Sequence, residues 1–474
     1  MVCLAEVDVV RDLTDAESVA FSRMRQTIGS KARRNRLRSQ YVDAKKRLDK
    51  IGFSIPPHMV DFQTPIGWAA KAIKVPAARI RPDGFTLPRQ SRLMDVLAES
   101  FDDNYLAMVE RMAIESSLKH SVSFVFVTPG DSALGEPDVV VAARTALEAT
   151  AEIDPRSNKV LRALEVVSKS QSLLYLPGVT LRLEFVGNKW RVTKAYVGVA
   201  GLVPCTPYVW GRSLERPFGT SRVTRPLMGL VDRGVRTTLR QEVTAEFFSA
   251  PQRALMGADE SHFTGPDGKR ISPLDAIMGA VWALPDVWDE EEGKLVRPDL
   301  KQLQQASMQP HSEMLRSIAL EVSGETDIPV GYLGVIHDNP SSADAILAME
   351  SSMVAMISNE LESYGMARVD LARNILAVRE GEWTPAMRDE LRGLRAHFSN
   401  PGTPTPAARA DAALKYTQAF PTGDPEVAME EYGLSKSQIE RNLEFAKKAQ
   451  SGTRLDALVA AAQAPTPQPP NPGS

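Results

Sequence analysis

The chain has 474 residues, of which 43% are hydrophobic and 24% charged, and its formal net charge is -3. That length exceeds one ordinary core and predicts two or three structural units. The composition excludes a disordered, collagen-like or disulfide-stapled chain, and the charge excludes a globally basic nucleic-acid coat while leaving local patches open.

Cys3 and Cys205 are too few for a disulfide framework and lack neighbouring histidines at zinc spacing, which suits folding in a reducing cytoplasm. The N-terminal stretch MVCLAEVDVVRDLTDAES carries acids within its first apolar run and has no basic region followed by a signal-length apolar one. Weakly charged stretches such as Val192 to Val209 are broken by Gly and Pro, short of the roughly 18 apolar residues that a bilayer demands. A soluble protein without a membrane partner is expected.

From Thr14 to Lys50 the pattern is helical and basic, with Lys31, Arg33, Arg34, Arg36 and Arg38 followed by Lys45, Lys46 and Arg47. This segment would suit phosphate, and the plainer reading is a solvated face or an acidic protein partner. A short helix is expected over Trp68 to Val75 and a longer one from Arg92 to Lys119, feeding a strand at Ser121 to Thr128 that Pro129 and Gly130 close. Residues 138–209 hold several strand candidates, and Gly187-Asn188 sits between two of them as a hairpin signal. The fold class expected is α+β.

After Arg222, apolar residues recur every fourth position at Val223, Leu227, Val231, Val235, Leu239, Val243 and Phe247. They suggest one stripe along a helix of about 39 Å. Residues 249–308 are rich in Pro and Gly and carry the acids Asp286, Asp289, Glu290, Glu291 and Glu292. A helix over Gln309 to Glu321 follows, so the insertion should project as a hairpin-like subdomain whose ends meet. Next come a Gly- and Pro-containing loop at 323–341, a long helix from Ser342 to Val378, and short helices at 385–398, 405–419 and 435–450. Ser435 and Gln438 form a capping-box pattern before the last, and a Pro-rich tail ends the chain.

Catalytic groupings are missing from this pattern. The six histidines are scattered with no i,i+4 pair about a glutamate. GPDGKRIS at 265–272 lacks phosphate-loop spacing, and no nucleophile elbow or dinucleotide fingerprint follows a strand. No cofactor or metal is expected. An enzyme of unfamiliar α+β type would use the loop at 323–341 as its pocket, and a nucleic-acid-binding protein would use the helix at Lys31 to Arg38.

RPFGTSRVTRPLMGLVDRGVRTTLRQEVTAEFFSAPQRALMG at 216–257 and PSSADAILAMESSMVA at 340–355 resemble, in order, segments of the portal proteins of tailed bacteriophages, in particular siphophages infecting actinobacteria. YVDAKKRLDKIGFSIPP at 41–57 and TPIGWAAKAIKV at 64–75 are similar to that family's N-terminal region. The resemblance implies a portal fold. A β-containing wing would span 1–221, stem helices 222–247 and 309–322, an α/β clip insertion 248–308 and a tunnel loop 323–341. A long wing helix at 342–384, a helical crown at 385–462 and a flexible tail at 463–474 would complete it. It further implies a non-enzymatic ring of about twelve copies at one capsid vertex, assembled in the host cytoplasm. Double-stranded DNA would pass through the ring without sequence preference, and the terminase large subunit, a head-completion adaptor, and the capsid and scaffold proteins would be partners. Site residues implied are Asp327, Tyr332 and His337 in the tunnel loop, Asp286, Asp289 and Glu290 to Glu292 for docking, and Val231, Val235, Leu239, Val243 and Phe247 for stem packing.

Overall fold

A computed structural model describes residues 6–48, 64–88, 90–248, 253–256, 287–289, 293–296, 299–302, 307–334, 343–402, 406–435 and 437–449. The chain divides into two units, the first comprising Met1–Arg36, Ile73–Arg222 and Asn339–Ser474, the second Leu37–Ala72 and Val223–Asp338.

The larger unit opens on a strand that the sequence pattern does not announce, β1 (Glu6–Asp12), before helix α1 (Asp15–Val42). Its charged residues suit its place at one edge of a sheet, where among the described residues it pairs only with β9 (Lys189–Val197). Between β1 and α1 the chain is pinned by a reciprocal capping box. The Thr14 amide donates to Glu17 Oε2 at 2.9 Å, and the Glu17 amide donates to Thr14 Oγ1 at 3.4 Å. Arg11 grips the same carboxylate with two hydrogen bonds of 2.6 and 2.7 Å, and this holds the Glu17 carboxyl down at about 2.

Helix α2 (Trp68–Arg79) leads to strand β2 (Pro82–Thr86). The single helix expected from Arg92 to Lys119 is in fact two, α3 (Arg92–Asp103) and α4 (Leu106–His120). Asn104 is the cause: its amide donates 2.9 Å bonds to the Ser100 and Val139 carbonyls and accepts the Val141 amide at 2.8 Å. A side chain that serves a strand in this way competes with helix continuation, and Tyr105 turns the chain through the left-handed region at φ 48°.

Strands β3 (Val122–Pro129), β4 (Val139–Thr145) and β10 (Cys205–Val209) form a three-stranded sheet with β3 in the middle. A second, six-stranded sheet runs β1, β9, β8 (Val179–Val186), β7 (Gln171–Leu176), β6 (Val160–Val166) and β5 (Ala149–Ile153), antiparallel throughout. Gly187 and Asn188, at φ 59° and 63°, make the tight turn expected between β8 and β9.

These sheets face each other across Phe124, Phe126, Ala149, Ala163, Tyr175 and Cys205. On the other side of the larger sheet, Phe21, Met24 and Ile28 of α1 cover Leu164, Leu174, Leu183 and Val192. Strand β3 is buried on both faces from Val122 to Val127, and its polar Ser123 is satisfied there by donating to the Ala113 carbonyl at 2.6 Å.

The second unit contains α5 (Arg225–Phe248), four short strands and α6 (Gln309–Thr326). The strands are β11 (Arg253–Met256), β12 (Val287–Asp289), β13 (Lys294–Val296) and β14 (Asp299–Gln302). Helix α7 (Ala343–Glu380) then returns to the first unit, as the long helix expected there. The helix predicted over 385–398 is realised only as α8 (Pro385–Glu390), because Arg395–Phe398 instead forms β15 and pairs antiparallel with β2. Helices α9 (Pro406–Ala419) and α10 (Pro425–Tyr432) follow, with a last helix at 437–449. Among the described residues no helix is long and apolar enough to cross a membrane.

Within the larger unit, Arg368 of α7 is buried to 2% exposure. Its Nε donates to Glu110 of α4 at 2.8 Å, and its Nη1 donates to the Gly84 and His397 carbonyls at 2.9 and 3.0 Å. Glu110 also accepts the Tyr208 hydroxyl at 2.8 Å, and the rings of Phe85, Phe101 and Phe398 surround the guanidinium.

Arg368→Met, which leaves Glu110 buried without its cation, should cost about 3–5 kcal/mol in denaturant unfolding. Glu17 has a folded value depressed from 4.5 to about 2, so its contribution is complete above pH 4.5 and is lost as pH falls toward 2. Arg11 is 36% exposed, so screening limits the effect to about 0.2–1 kcal/mol. Glu17→Gln should therefore flatten stability against pH in that interval and leave the slope elsewhere unchanged.

Candidate functional site

The second unit is organised by an antiparallel helix pair. Along α5 and α6 the contacts run in opposite directions. Thr224 Oγ1 donates to Glu325 Oε1 at 2.7 Å, Arg233 forks onto Glu321 at 2.6 and 3.1 Å, and Thr244 Oγ1 lies 3.4 Å from His311 Nε2. The helix ends nearest the 249–308 insertion are thereby held together, as the sequence pattern requires. The insertion continues the same pairing, because β11 and β14 join antiparallel from Arg253 opposite Gln302 to Met256 opposite Asp299. Nested inside them, β12 and β13 pair from Val287 opposite Val296 to Asp289 opposite Lys294.

The expected stripe on α5 holds only in part. Val231, Leu239 and Val243 are buried and Val235 is half-buried, but Phe247 is 51% exposed. Each four-residue step overshoots a full turn by about 40°, so a row of every fourth residue winds around the helix and cannot keep one face. The buried arc is drawn instead by Leu227, Leu230, Val231, Gly234 and Thr237, with Leu239 and Val243 lying on a second arc nearly opposite.

Gly234 shows what the first arc meets. A Cβ there would stand 2.6 Å from Trp68 Cζ3 and 2.9 Å from Ile66 Cδ1. The Trp68 indole cannot retreat easily, since it is buried and its Nε1 donates to the Leu333 carbonyl at 3.2 Å. Tyr41 adds a second tie, its hydroxyl donating to the Asp232 carboxylate at 3.0 Å. A glycine interrupting an otherwise good helix pattern was the signal available in the sequence for such a close approach. Nothing in the sequence pointed to its partner Trp68, far away along the chain.

The loop expected at 323–341 begins later than predicted. Helix α6 runs on through Ser323 and Gly324 because Ile318, Ala319, Val322 and Thr326 form one buried face, and it ends at Asp327, which takes the left-handed conformation at φ 54°. Beyond it, Ile328, Val330 and Leu333 are buried around a short 3-10 turn, and Ser323 Oγ donates to the Ile328 carbonyl at 2.6 Å. This stretch is therefore packed and anchored. Asp327 is exposed and Tyr332 half-buried within it.

Asp289 lies at the end of β12. Asp286, Glu290, Glu291, Glu292 and His337 lie outside the described residues. Among the described residues no group of three or more His, Cys, Asp or Glu side chains is placed to hold a metal.

No family model matches the chain. Curated proteins do match over most of its length. The portal protein of Mycobacterium phage L5 is 28% identical over 390 residues, covering 80% of this chain and 77% of the relative. The portal protein of Mycobacterium phage D29 is 26% identical over 391 residues, covering 80% and 78%. The chain is a relative of phage portal proteins. Among solved structures, it is similar to a chain from the neck of a native GTA particle computed with C12 symmetry, at a TM-score of 0.43 and 12% identity over 77% of this chain and 89% of that one. A chain from the neck of an empty GTA particle computed with C6 symmetry gives 0.45 and 12% over 83% and 93%.

Two glycines on α5 of this portal relative should respond oppositely to alanine. Gly229 is exposed with nothing within 4 Å of an added Cβ, so Gly229→Ala should stabilise by about 0.5–1 kcal/mol through helix propensity. Gly234→Ala should instead destabilise by about 1–3 kcal/mol, as overpacking does. Thermal unfolding of both variants checks the helix face directly.

Proposed function

We propose that the chain is a portal subunit. About twelve copies form a ring at the unique capsid vertex, and double-stranded DNA passes through that ring during packaging and ejection. The observation that carries this reading is the kinship with portal proteins over 80% of the chain, joined to a helix pair that brackets a nested β insertion.

The mechanism works through surfaces rather than a reactive group. A head-to-tail contact repeated around an axis closes into a ring; α5 buries the apolar residues of both its arcs within the subunit and leaves Phe247 51% exposed. In this assignment α5 and α6 are the stem. The insertion, with Asp286, Asp289, Glu290, Glu291 and Glu292, is the clip on which the terminase large subunit and later the head-completion adaptor dock. The stretch from Asp327 through Tyr332 to His337 faces the channel. Basic contacts hold phosphate and release counterions, so a channel poor in cations lets DNA slide. The major capsid and scaffold proteins are further partners of the ring.

Native mass measurement and electron micrographs of the purified chain should show closed rings, and a stable monomer with no ring at any concentration would overturn the proposal. Deleting residues 260–300 should leave ring formation intact and abolish terminase binding. Unimpaired terminase binding by the deleted protein would refute the docking role of the insertion.

A further inference from the structure

Strands β2 and β15 meet at a bulge that gathers acidic groups around a histidine. Their register passes from Ala396 opposite Phe85 to Phe398 opposite Pro82. His397 therefore faces two residues, Asp83 and Gly84, and Gly84 takes the left-handed conformation at φ 71°. A bulge of this kind re-aims groups that a regular ladder would send elsewhere. Here it sets the Asp83 carbonyl 3.2 Å and the Asp83 Oδ2 3.6 Å from His397 Nδ1. The other ring nitrogen, Nε2, lies 3.8 Å from Glu430 Oε1 of α10.

Both nitrogens of the imidazole thus face acceptors. A neutral imidazole has one N–H and one lone pair, so one of these acceptors then meets a lone pair, whereas the imidazolium donates to both. Histidine is the side chain whose charge ordinarily changes between about pH 5 and 8, and aspartate and glutamate ordinarily stay charged above about pH 5. Among the described residues the two carboxylates are the charged groups within ion-pair range of the ring. Cations stand further out on each neighbouring element. From α7, Arg368 donates to the His397 carbonyl, and its charge is paired with Glu110. Arg395 lies two residues along β15 and is exposed. From α9, Arg409 lies against Gly433, where an added Cβ would stand 2.6 Å from its Nη1.

What the ring touches through Glu430 is lightly held. Neither α9 nor α10 has a buried residue, and Leu414, Phe420 and Tyr432 are exposed on and beside them. Apolar stabilisation scales with the area removed from water, so a polar tie makes up a larger share of what fastens these helices than it would for a core helix.

We propose that His397 is a pH-operated latch between the β2–β15 ribbon and the C-terminal helices α9 and α10. With both nitrogens protonated, the ring links Asp83 to Glu430 and holds α10 down. When Nε2 releases its proton to solvent, the Glu430 contact is lost and the helices detach more often. Docking stabilises the imidazolium, so docking is strongest at the acidic end of the histidine range and weakens as pH rises through it. The latch lies wholly within the larger unit, and it operates whether or not the chain forms a ring.

The test is hydrogen–deuterium exchange of the full chain at about pH 5.5 and about pH 8, which bracket most of the histidine range. Mass spectrometry, corrected for intrinsic exchange, reads the protection of peptides within Pro406–Tyr432. In the natural chain protection should fall about two- to fivefold from the lower to the higher pH, which is what a partly exposed ion pair is worth. His397→Gln, whose backbone still supplies the carbonyl that Arg368 uses, should show the lower protection at both pH values. Glu430→Gln should do the same. Glu431, exposed on the same helix, forms no ion pair among the described residues, so Glu431→Gln should follow the natural chain.

Equal protection of the natural chain at the two pH values overturns the proposal. So does a pH response that survives in Glu430→Gln or in a folded His397→Gln. If circular dichroism shows His397→Gln to be misfolded, Glu430→Gln carries the test alone, because its side chain lies on an outer helix. Native mass at both pH values separates the latch from the ring. Loss of protection in samples of unchanged mass supports the latch, and loss that appears only where rings dissociate overturns it.

Discussion

A guanidinium removed from water constrains the larger unit more tightly than any apolar contact in it. Arg368 must find partners for its donors inside the protein, and it finds them on α4, on β2 and on β15, with Tyr208 of β10 completing the shell around Glu110. Apolar surfaces tolerate sliding and rotation at modest cost, because their attraction lacks direction. A buried ion pair with fixed hydrogen-bond geometry does not, since leaving one charge unpaired costs several kcal/mol. Strands β2 and β15 come from opposite ends of the unit's sequence, and their register across from each other is compatible with this one side chain donating to a carbonyl on each.

The second unit solves a different problem with different means. Its helix pair must bring the two ends of a long insertion together. It does so with side-chain contacts spaced along the pair and with a glycine that lets an indole lie against the helix backbone. The tight seat for Trp68 also fixes the turn after α6, because the indole nitrogen holds the Leu333 carbonyl. The stretch expected to be a tunnel loop is therefore anchored over its described half, and its burial of Ile328, Val330 and Leu333 explains why.

Much of this architecture was legible in the chain. The long helices α5 and α7, the hairpin at Gly187-Asn188 and the nested insertion between two helices follow from periodicity and turn chemistry, which are local. The misreadings share a cause. An every-fourth pattern on α5 passed for one face because four residues nearly complete a turn, yet the residual rotation accumulates until Phe247 points away from the buried arc. Strand β1 was hidden because an edge strand needs little hydrophobicity of its own. The break at Asn104 and the strand at Arg395–Phe398 depend on partners far away in sequence, the β4 edge and β2.

For the candidate site the division is similar. The sequence by itself determined the class α+β, the order of helix, insertion, helix, loop and long helix, the basic run on α1, and the kinship with portal proteins. These are properties of composition and local spacing, or of residue order shared with relatives. Only the tertiary structure decided which side of α5 is buried, that the turn at Asp327 to Leu333 is packed, and that Lys31, Arg33, Arg34 and Arg36 stand exposed. Exposure and partnership depend on what the remote chain covers, and no local pattern carries that information. The same run of basic residues would read alike whether its charges were paired within the fold or left to meet a ligand.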